Sequence, residues 1–156
     1  MQKITRFLWF DKDARKAAEG YVSIFGEDSK ITGGYQMEGT PSGTIEVVDL
    51  TLRGQALTLM AAGPYFKQTE AFSLVIDCKD QAEVDYFWDA LTRDGGQESQ
   101  CGWLKDKFGV SWQVTPRRLV ELTTDPDKAR AGRAAQAMMT MKKIDIAAIE
   151  AAADGE

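Results

Sequence analysis

The amino-acid sequence predicts an α+β fold made of two tandem βαβββ modules and a helical C-terminal extension. Three observations support this prediction. Each half of the chain opens with a strand pattern and an amphipathic helix, each helix is followed by short strand patterns separated by turn residues, and the pattern becomes helical after Pro116. We predict the first module at 1–62, the second at 71–116 and the extension at 117–156.

The first module begins with a strand pattern over 4–10, which a helix pattern follows over 11–25. Apolar residues at helical spacing form one stripe of this helix, namely Ala14, Ala17, Ala18, Tyr21, Val22 and Phe25. Gly26 is typical of the residue that ends a helix. The remaining strands of the module are predicted at 29–35, 44–52 and 55–61, with a hairpin turn at Arg53-Gly54.

The second module repeats this order, beginning with a strand pattern over 72–77. Asp80 is predicted to cap the following helix, because Glu83 stands three residues later in a capping-box arrangement. The apolar stripe of this helix consists of Val84, Phe87, Trp88 and Leu91. One or two strands are expected over 97–104, and a last strand over 110–115.

The extension contains a strong helix start at Asp125-Pro126-Asp127, where Asp125 is the predicted cap and Pro126 the first helical residue. Three methionines follow, at 138, 139 and 141. Two arrangements stay open. The extension either packs back on its own chain or reaches a partner subunit, for which adaptable methionine side chains are suited.

Composition excludes several classes of protein. The net charge is −5 and no basic stripe is present, which argues against nucleic-acid binding. The chain has no histidine, which removes histidine-dependent catalysis and histidine metal sites.

Its two cysteines, Cys78 and Cys101, could form a redox pair or remain two unpaired thiols, and the second alternative is favoured. No segment is typical of a signal peptide or a membrane span, so we expect a cytoplasmic protein.

Six stretches of the chain are similar to one known family. They lie at 7–11, 21–26, 63–67, 85–88, 101–113 and 141–146, and the run from Cys101 to Gln113 (CGWLKDKFGVSWQ) is the most specific. Together they resemble the PhnB-like proteins, also described as a 3-demethylubiquinone-9 3-methyltransferase domain. This family belongs to the vicinal oxygen chelate superfamily, with glyoxalase I, extradiol dioxygenases and bleomycin-resistance proteins. The resemblance implies the two-module fold and a homodimer.

The methyltransferase name finds no support among the residues. An S-adenosylmethionine site normally needs a glycine-rich loop between a strand and a helix of a parallel sheet. Gly33-Gly34 lies in a strand-loop region, and Gly95-Gly96 follows a helix, so neither pair opens a helix.

The resemblance also implies a cup in which enzymes of the superfamily bind a divalent metal through the first and last strands of each module. When the first module is shifted by 67 residues, Lys12 aligns with Lys79, and the same shift relates the first strands of the two modules. The last strands are related separately, by aligning the hairpin glycines Gly54 and Gly109. The positions so identified are Arg6, Thr58, Ser73 and Gln113. None of them is a carboxylate or an imidazole, so the sequence predicts no metal and no other cofactor.

The same four residues suit a different ligand. A guanidinium beside two hydroxyls and an amide can hold an anion by charge-assisted hydrogen bonds, and Trp103 is the tryptophan expected to line the pocket. Alternatively, Arg6 pairs with an acid such as Asp77 or Glu46 and closes the cup. The predicted function is a metal-free protein that binds a small anionic or aromatic molecule. The alternative is an enzyme that acts on a small metabolite and uses Arg6 electrostatically.

Overall fold

The computed structural model describes residues 4–156, which divide into two compact units with the boundary between Gln68 and Thr69. Each unit contains one four-stranded sheet, and the predicted α+β class with two βαβββ modules is confirmed. The helical extension lies within the second unit. The finer division at 62, 71 and 116 stays a prediction.

The first unit contains five elements, β1 (Arg6–Phe10), α1 (Ala14–Phe25), β2 (Lys30–Thr40), β3 (Gly43–Leu52) and β4 (Gln55–Ala61). The strand order in the sheet is β1-β4-β3-β2. Strand β1 runs parallel to β4, and the other two pairings are antiparallel. Strand β2 is five residues longer at its end than the pattern over 29–35 indicated, because Gln36, Met37 and Thr40 also pair with β3. The side chains of this segment show no alternation in burial, so the sequence pattern did not reveal it.

Helix α1 covers one face of this sheet. Five of the six residues of its predicted stripe are buried, and they are Ala14, Ala17, Ala18, Tyr21 and Phe25. The sheet contributes a matching apolar layer, formed by Leu8, Phe10, Val48, Leu50, Leu57 and Leu59. Burying a side chain of the size of leucine contributes about 1.5–3 kcal/mol, so this layer is the main source of stability in the unit.

The second unit begins with β5 (Leu74–Cys78), α2 (Gln81–Thr92), β6 (Gln97–Glu98), β7 (Trp103–Lys105) and β8 (Ser111–Pro116). The strand order is β5-β8-β7-β6, and β5 runs parallel to β8. The predicted apolar stripe of α2 is buried in full. The predicted cap is confirmed, since the carboxylate of Asp80 accepts a hydrogen bond of 2.9 Å from the backbone N–H of Glu83.

Asp106 organises the turn between β7 and β8. Its buried carboxylate accepts hydrogen bonds from the backbone N–H groups of Phe108 and Val110, at 2.9 and 3.1 Å. It also accepts one of 2.9 Å from the indole N–H of Trp112. The turn therefore keeps β8 aligned with β7 through one buried acid.

The extension consists of α3 (Arg117–Thr123), α4 (Lys128–Met139) and α5 (Ile146–Asp154). The prediction that Asp125 caps α4 is wrong, because the cap is Asp127, whose carboxylate accepts from the N–H groups of Ala129 and Arg130. Asp125 instead accepts from the N–H of Asp127 and pairs with Arg130 at 2.8 Å. Both aspartates are suitable caps, and only the turn between them decides which carboxylate reaches the first helical N–H groups.

The extension packs back on its own chain, which is the first of the two arrangements that the sequence left open. Its three helices share a small core of Leu119, Leu122, Ala134, Ile144, Ile149 and Ala153, against which Met138 and Met141 also pack. The side chain of Gln81 in α2 donates to the carbonyl of Ile144 and accepts from the N–H of Ile146, at 3.0 and 2.9 Å. In the described part of the chain, no helix is long and apolar enough to cross a membrane.

Candidate functional site

Each sheet has one face that its helix covers and a second face directed away from it. Strand alternation and register define the second faces. The face opposite α1, here called the α1-distal face, carries Phe7, Trp9, Tyr35, Val47, Asp49, Thr58 and Met60. The corresponding α2-distal face carries Val75, Trp103, Lys105, Ser111, Gln113 and Thr115, with Ser73 directly before β5.

Arg6 does not lie on the α1-distal face. It pairs in register with Leu57 and alternates with Leu8 and Phe10, so it lies on the face that α1 covers. Its guanidinium donates to the side-chain carbonyl of Gln55 at 3.1 Å and to the carbonyl of Ala56 at 3.4 Å. The expectation that Arg6 shares a face with Thr58 is therefore wrong.

The predicted acidic partners of Arg6 are engaged elsewhere. Glu46 pairs with Arg15 at 2.6 Å, and Asp77 pairs with Arg117 at 2.8 Å. The alternative in which Arg6 pairs with Glu46 is therefore also wrong, and Asp77 has its own partner within the second unit.

The error at Arg6 comes from one additional residue in the first module. Two residues separate the end of β1 from the helix cap Asp13, whereas only Lys79 separates the end of β5 from the cap Asp80. The offset of 67 therefore aligns the helices but not the first strands. Phe7, which pairs with Thr58, is the counterpart of Val75, which pairs with Gln113. A shift of one residue in a strand moves a side chain to the opposite face.

Three of the predicted site residues meet on the α2-distal face. The side-chain amide of Gln113 donates a hydrogen bond of 2.9 Å to the hydroxyl of Ser73. Trp103 is the register partner of Gln113 on the neighbouring strand β7. All three side chains are half-buried, which leaves each of them accessible from one side.

Thr58 lies on the α1-distal face, where its hydroxyl donates a hydrogen bond of 2.6 Å to the carboxylate of Asp49. Asp49 is a polar residue that the sequence reasoning missed. The available signal was a single acid within the apolar run Val47-Val48-Asp49-Leu50, at a position that alternation places opposite the buried face.

A cavity of about 120 Å³ opens beside Trp103. It is lined by Lys105 and Ser111 of the α2-distal face and by Glu70 of the segment before β5, among other residues. Lys105 and Glu70 form an ion pair of 2.6 Å, and the hydrogen bond from Lys105 holds the pKa of the Glu70 carboxyl below its ordinary value. Sequence reasoning did not select Lys105 or Ser111, although alternation placed Ser111 on the same face as Gln113.

These faces do not fit a divalent metal. Hydroxyl, amide and apolar side chains occupy the paired positions, which are Phe7 with Thr58 and Val75 with Gln113. Divalent metals in proteins require carboxylate, imidazole or thiolate ligands, usually three or more. Within residues 4–156, no group of three or more such side chains could hold a metal ion.

The two cysteines are both free thiols, so the redox pair is not formed. Cys78 is fully buried in β5, and burial, assisted by the nearby acids Glu83, Asp77 and Asp80, raises the pKa of its thiol to about 12. Cys101 is partly exposed.

Comparisons with known proteins agree with this architecture. The model of the family described as 3-demethylubiquinone-9 3-methyltransferase matches residues 2–115. The structure of a PhnB protein from Bacillus cereus is 31% identical to the chain, with a TM-score of 0.65 over 74% of this chain and 99% of that one. Protein PA1353 from Pseudomonas aeruginosa is 21% identical, with a TM-score of 0.61 over 74% and 98%.

More distant structures share the fold alone. The fosfomycin resistance protein FosX from Listeria monocytogenes, solved with Mn(II) and sulfate, is 14% identical, with a TM-score of 0.50 over 72% of this chain and 89% of that one. No curated protein matches the sequence.

Proposed function

The chain belongs to the 3-demethylubiquinone-9 3-methyltransferase family of PhnB-like, glyoxalase-fold proteins, and from this premise we propose that it is a metal-free protein that binds a small anionic or aromatic molecule. The methyltransferase description is a family name. In the described chain Gly33 and Gly34 lie within β2, and Gly95 and Gly96 follow α2, so neither pair forms a loop that opens a helix.

The observation that carries the proposal is the group of Gln113, Ser73 and Trp103 on the α2-distal face. Gln113 retains its carbonyl oxygen and one N–H for a ligand after donating to Ser73. The indole of Trp103 offers an apolar surface for a planar group beside these polar atoms. An amide, a hydroxyl and an aromatic ring suit a small ligand that is planar and polar at one end. In the first unit, Thr58 with Asp49 forms a separate polar position on the α1-distal face.

The enzyme alternative loses its main support, because it relied on Arg6 as an electrostatic group. Arg6 lies on the α1 side of its sheet and donates to Gln55 and Ala56. The homodimer and the cytoplasmic location that we expected from the sequence are retained as part of the proposal.

Native mass spectrometry of the purified protein tests this function. We expect a native dimer whose mass exceeds twice the mass of the denatured chain by a few hundred daltons. The variants Gln113→Ala and Trp103→Ala should lose this additional mass, whereas Arg6→Ala should retain it. A tightly held divalent metal, or loss of the ligand in Arg6→Ala alone, would contradict the proposal.

A further inference from the structure

The cavity beside Trp103 contains a buried hydroxyl with no partner. Ser111 is only 2% exposed, and among residues 4–156 its hydroxyl makes no hydrogen bond. Ser111 lines the cavity and pairs in register with Lys105 on β7. An unsatisfied buried hydroxyl lowers stability, and alanine would fit the same position without that cost. A ligand group in the cavity would supply the missing partner.

Lys105 provides the positive charge of the cavity wall. Its ammonium group carries three N–H donors. The nitrogen lies 2.6 Å from a carboxylate oxygen of Glu70. The side chain of Glu70 is 64% exposed, while that of Lys105 is 32% exposed. An exposed carboxylate can turn into solvent at little cost, because surface ion pairs contribute little to stability.

The other acid of the cavity is already engaged. Glu98 accepts a hydrogen bond of 2.8 Å from the indole N–H of Trp88, and its second oxygen lies 3.8 Å from the ammonium of Lys142. When Glu70 turns away, the ammonium of Lys105 is therefore the charge without a counter-ion in this cavity. The ion pair with Glu70 shows that Lys105 can hold a carboxylate at this wall, although Glu70 itself does not reach the hydroxyl of Ser111.

We propose that this cavity binds the carboxylate of a small aromatic acid, which displaces Glu70 from Lys105, accepts a hydrogen bond from Ser111 and places its ring against Trp103. This inference rests on the proposed function and names the chemical class of its ligand. Glu70 acts as an internal competitor that occupies Lys105 in the absence of the acid. The cavity has a volume of about 120 Å³ and is open to solvent on one side.

A titration with benzoate, monitored by ¹H–¹⁵N correlation spectra, tests the proposal. A parallel titration with benzyl alcohol provides a neutral probe of similar shape. We expect benzoate to shift the indole signal of Trp103, and benzyl alcohol to bind about tenfold more weakly, because a hydrogen bond to a charged group contributes that much affinity. Glu70→Gln should tighten benzoate binding several-fold, since it removes the competing charge. Lys105→Met should abolish binding, whereas Lys107→Met, which removes an exposed charge two residues away, should not.

Ser111→Ala separates a ligand role from a merely structural one. We expect it to weaken benzoate binding by about tenfold, and to raise the unfolding temperature of the ligand-free protein by about 2–4 °C because the unpartnered hydroxyl is gone. Unchanged benzoate affinity in Ser111→Ala would overturn the proposal, as would a Glu70→Gln variant that binds no more tightly. If benzyl alcohol binds as well as benzoate, the carboxylate assignment fails while the proposed function stands. If neither probe binds and native mass spectra show no ligand, both fail.

Discussion

Gln113 and Ser73 join the two parallel strands of the second unit through their side chains, with a distance of 2.9 Å between the amide nitrogen and the hydroxyl oxygen. Gln113 lies on β8 and Ser73 directly precedes β5. The bond crosses the α2-distal face beside Trp103, the register partner of Gln113. Two residues that the sequence assigned to different strands of the second module therefore form one polar group.

Removing either partner of this bond should show that the two side chains act together. We expect Ser73→Ala and Gln113→Ala each to destabilise the protein, with a coupling energy of about 0.5–1.5 kcal/mol in the double-mutant cycle. Urea unfolding of the four proteins measures it. Strictly additive effects would mean that the hydrogen bond is absent in solution.

Replacing Asp106 should be among the most damaging single changes. Asp106→Ala leaves three donors, including the indole N–H of Trp112, without their acceptor, and we expect a loss of about 3–5 kcal/mol. The exposed neighbour Lys107 serves as control, since Lys107→Ala removes only a cation–π contact of 5.4 Å with the ring of Phe108 and should cost at most about 1 kcal/mol. Urea unfolding followed by tryptophan fluorescence measures both. Equal effects of the two substitutions would contradict the role assigned to Asp106.

The helical extension contributes to the stability of the second unit through its own small core. Leu122→Ala removes a side chain that is fully buried in α3 and should cost about 2–5 kcal/mol. Val120→Ala changes an exposed residue of the same helix and should cost less than about 0.5 kcal/mol. Urea unfolding monitored by circular dichroism compares the variants. A Leu122→Ala protein as stable as the wild type would show that α3 is not packed in solution.

The two thiols should react at very different rates. A pKa of about 12 leaves roughly one Cys78 thiol in ten thousand ionised at pH 8, and burial hides the sulfur as well. We expect a disulfide reagent to modify Cys101 in the native protein and Cys78 only after unfolding.

Two variants complete this test. Cys101→Ser should abolish the native reaction, while Cys78→Ser should leave it unchanged. As the pH rises above the unfolded-state pKa of the thiol, the unfolded chain loses this proton first, so Cys78 should lower stability at alkaline pH and have no such effect near neutrality. Fast native modification of Cys78 would contradict the buried position in β5.

The overlay of the modules related the last strands correctly, since Thr58 and Gln113 hold equivalent register positions, but it misplaced the first strand by one residue. Ser73 and Gln113 lie in the second module, where alternation along β8 already placed Gln113 with Ser111 and Thr115. Arg6 was carried over from the helix alignment, and the additional residue between β1 and Asp13 shifted it by one position. Periodicity in a helix contains no information about the register of the strand before it, so nothing in the repeat could reveal the shift.

Local spacing and composition were sufficient to predict the order of strands and helices in the two modules, the buried stripes of α1 and α2 and the cap at Asp80. Composition alone excluded histidine from any site. The pairing of strands in the folded chain places Arg6 on the helix-covered face, and it buries Ser111 beside Lys105 without a partner. Folding also brings Glu70, which is distant in the sequence, into an ion pair with Lys105. Pairing across strands brings together residues that no local pattern relates, and the candidate site is made of such pairs.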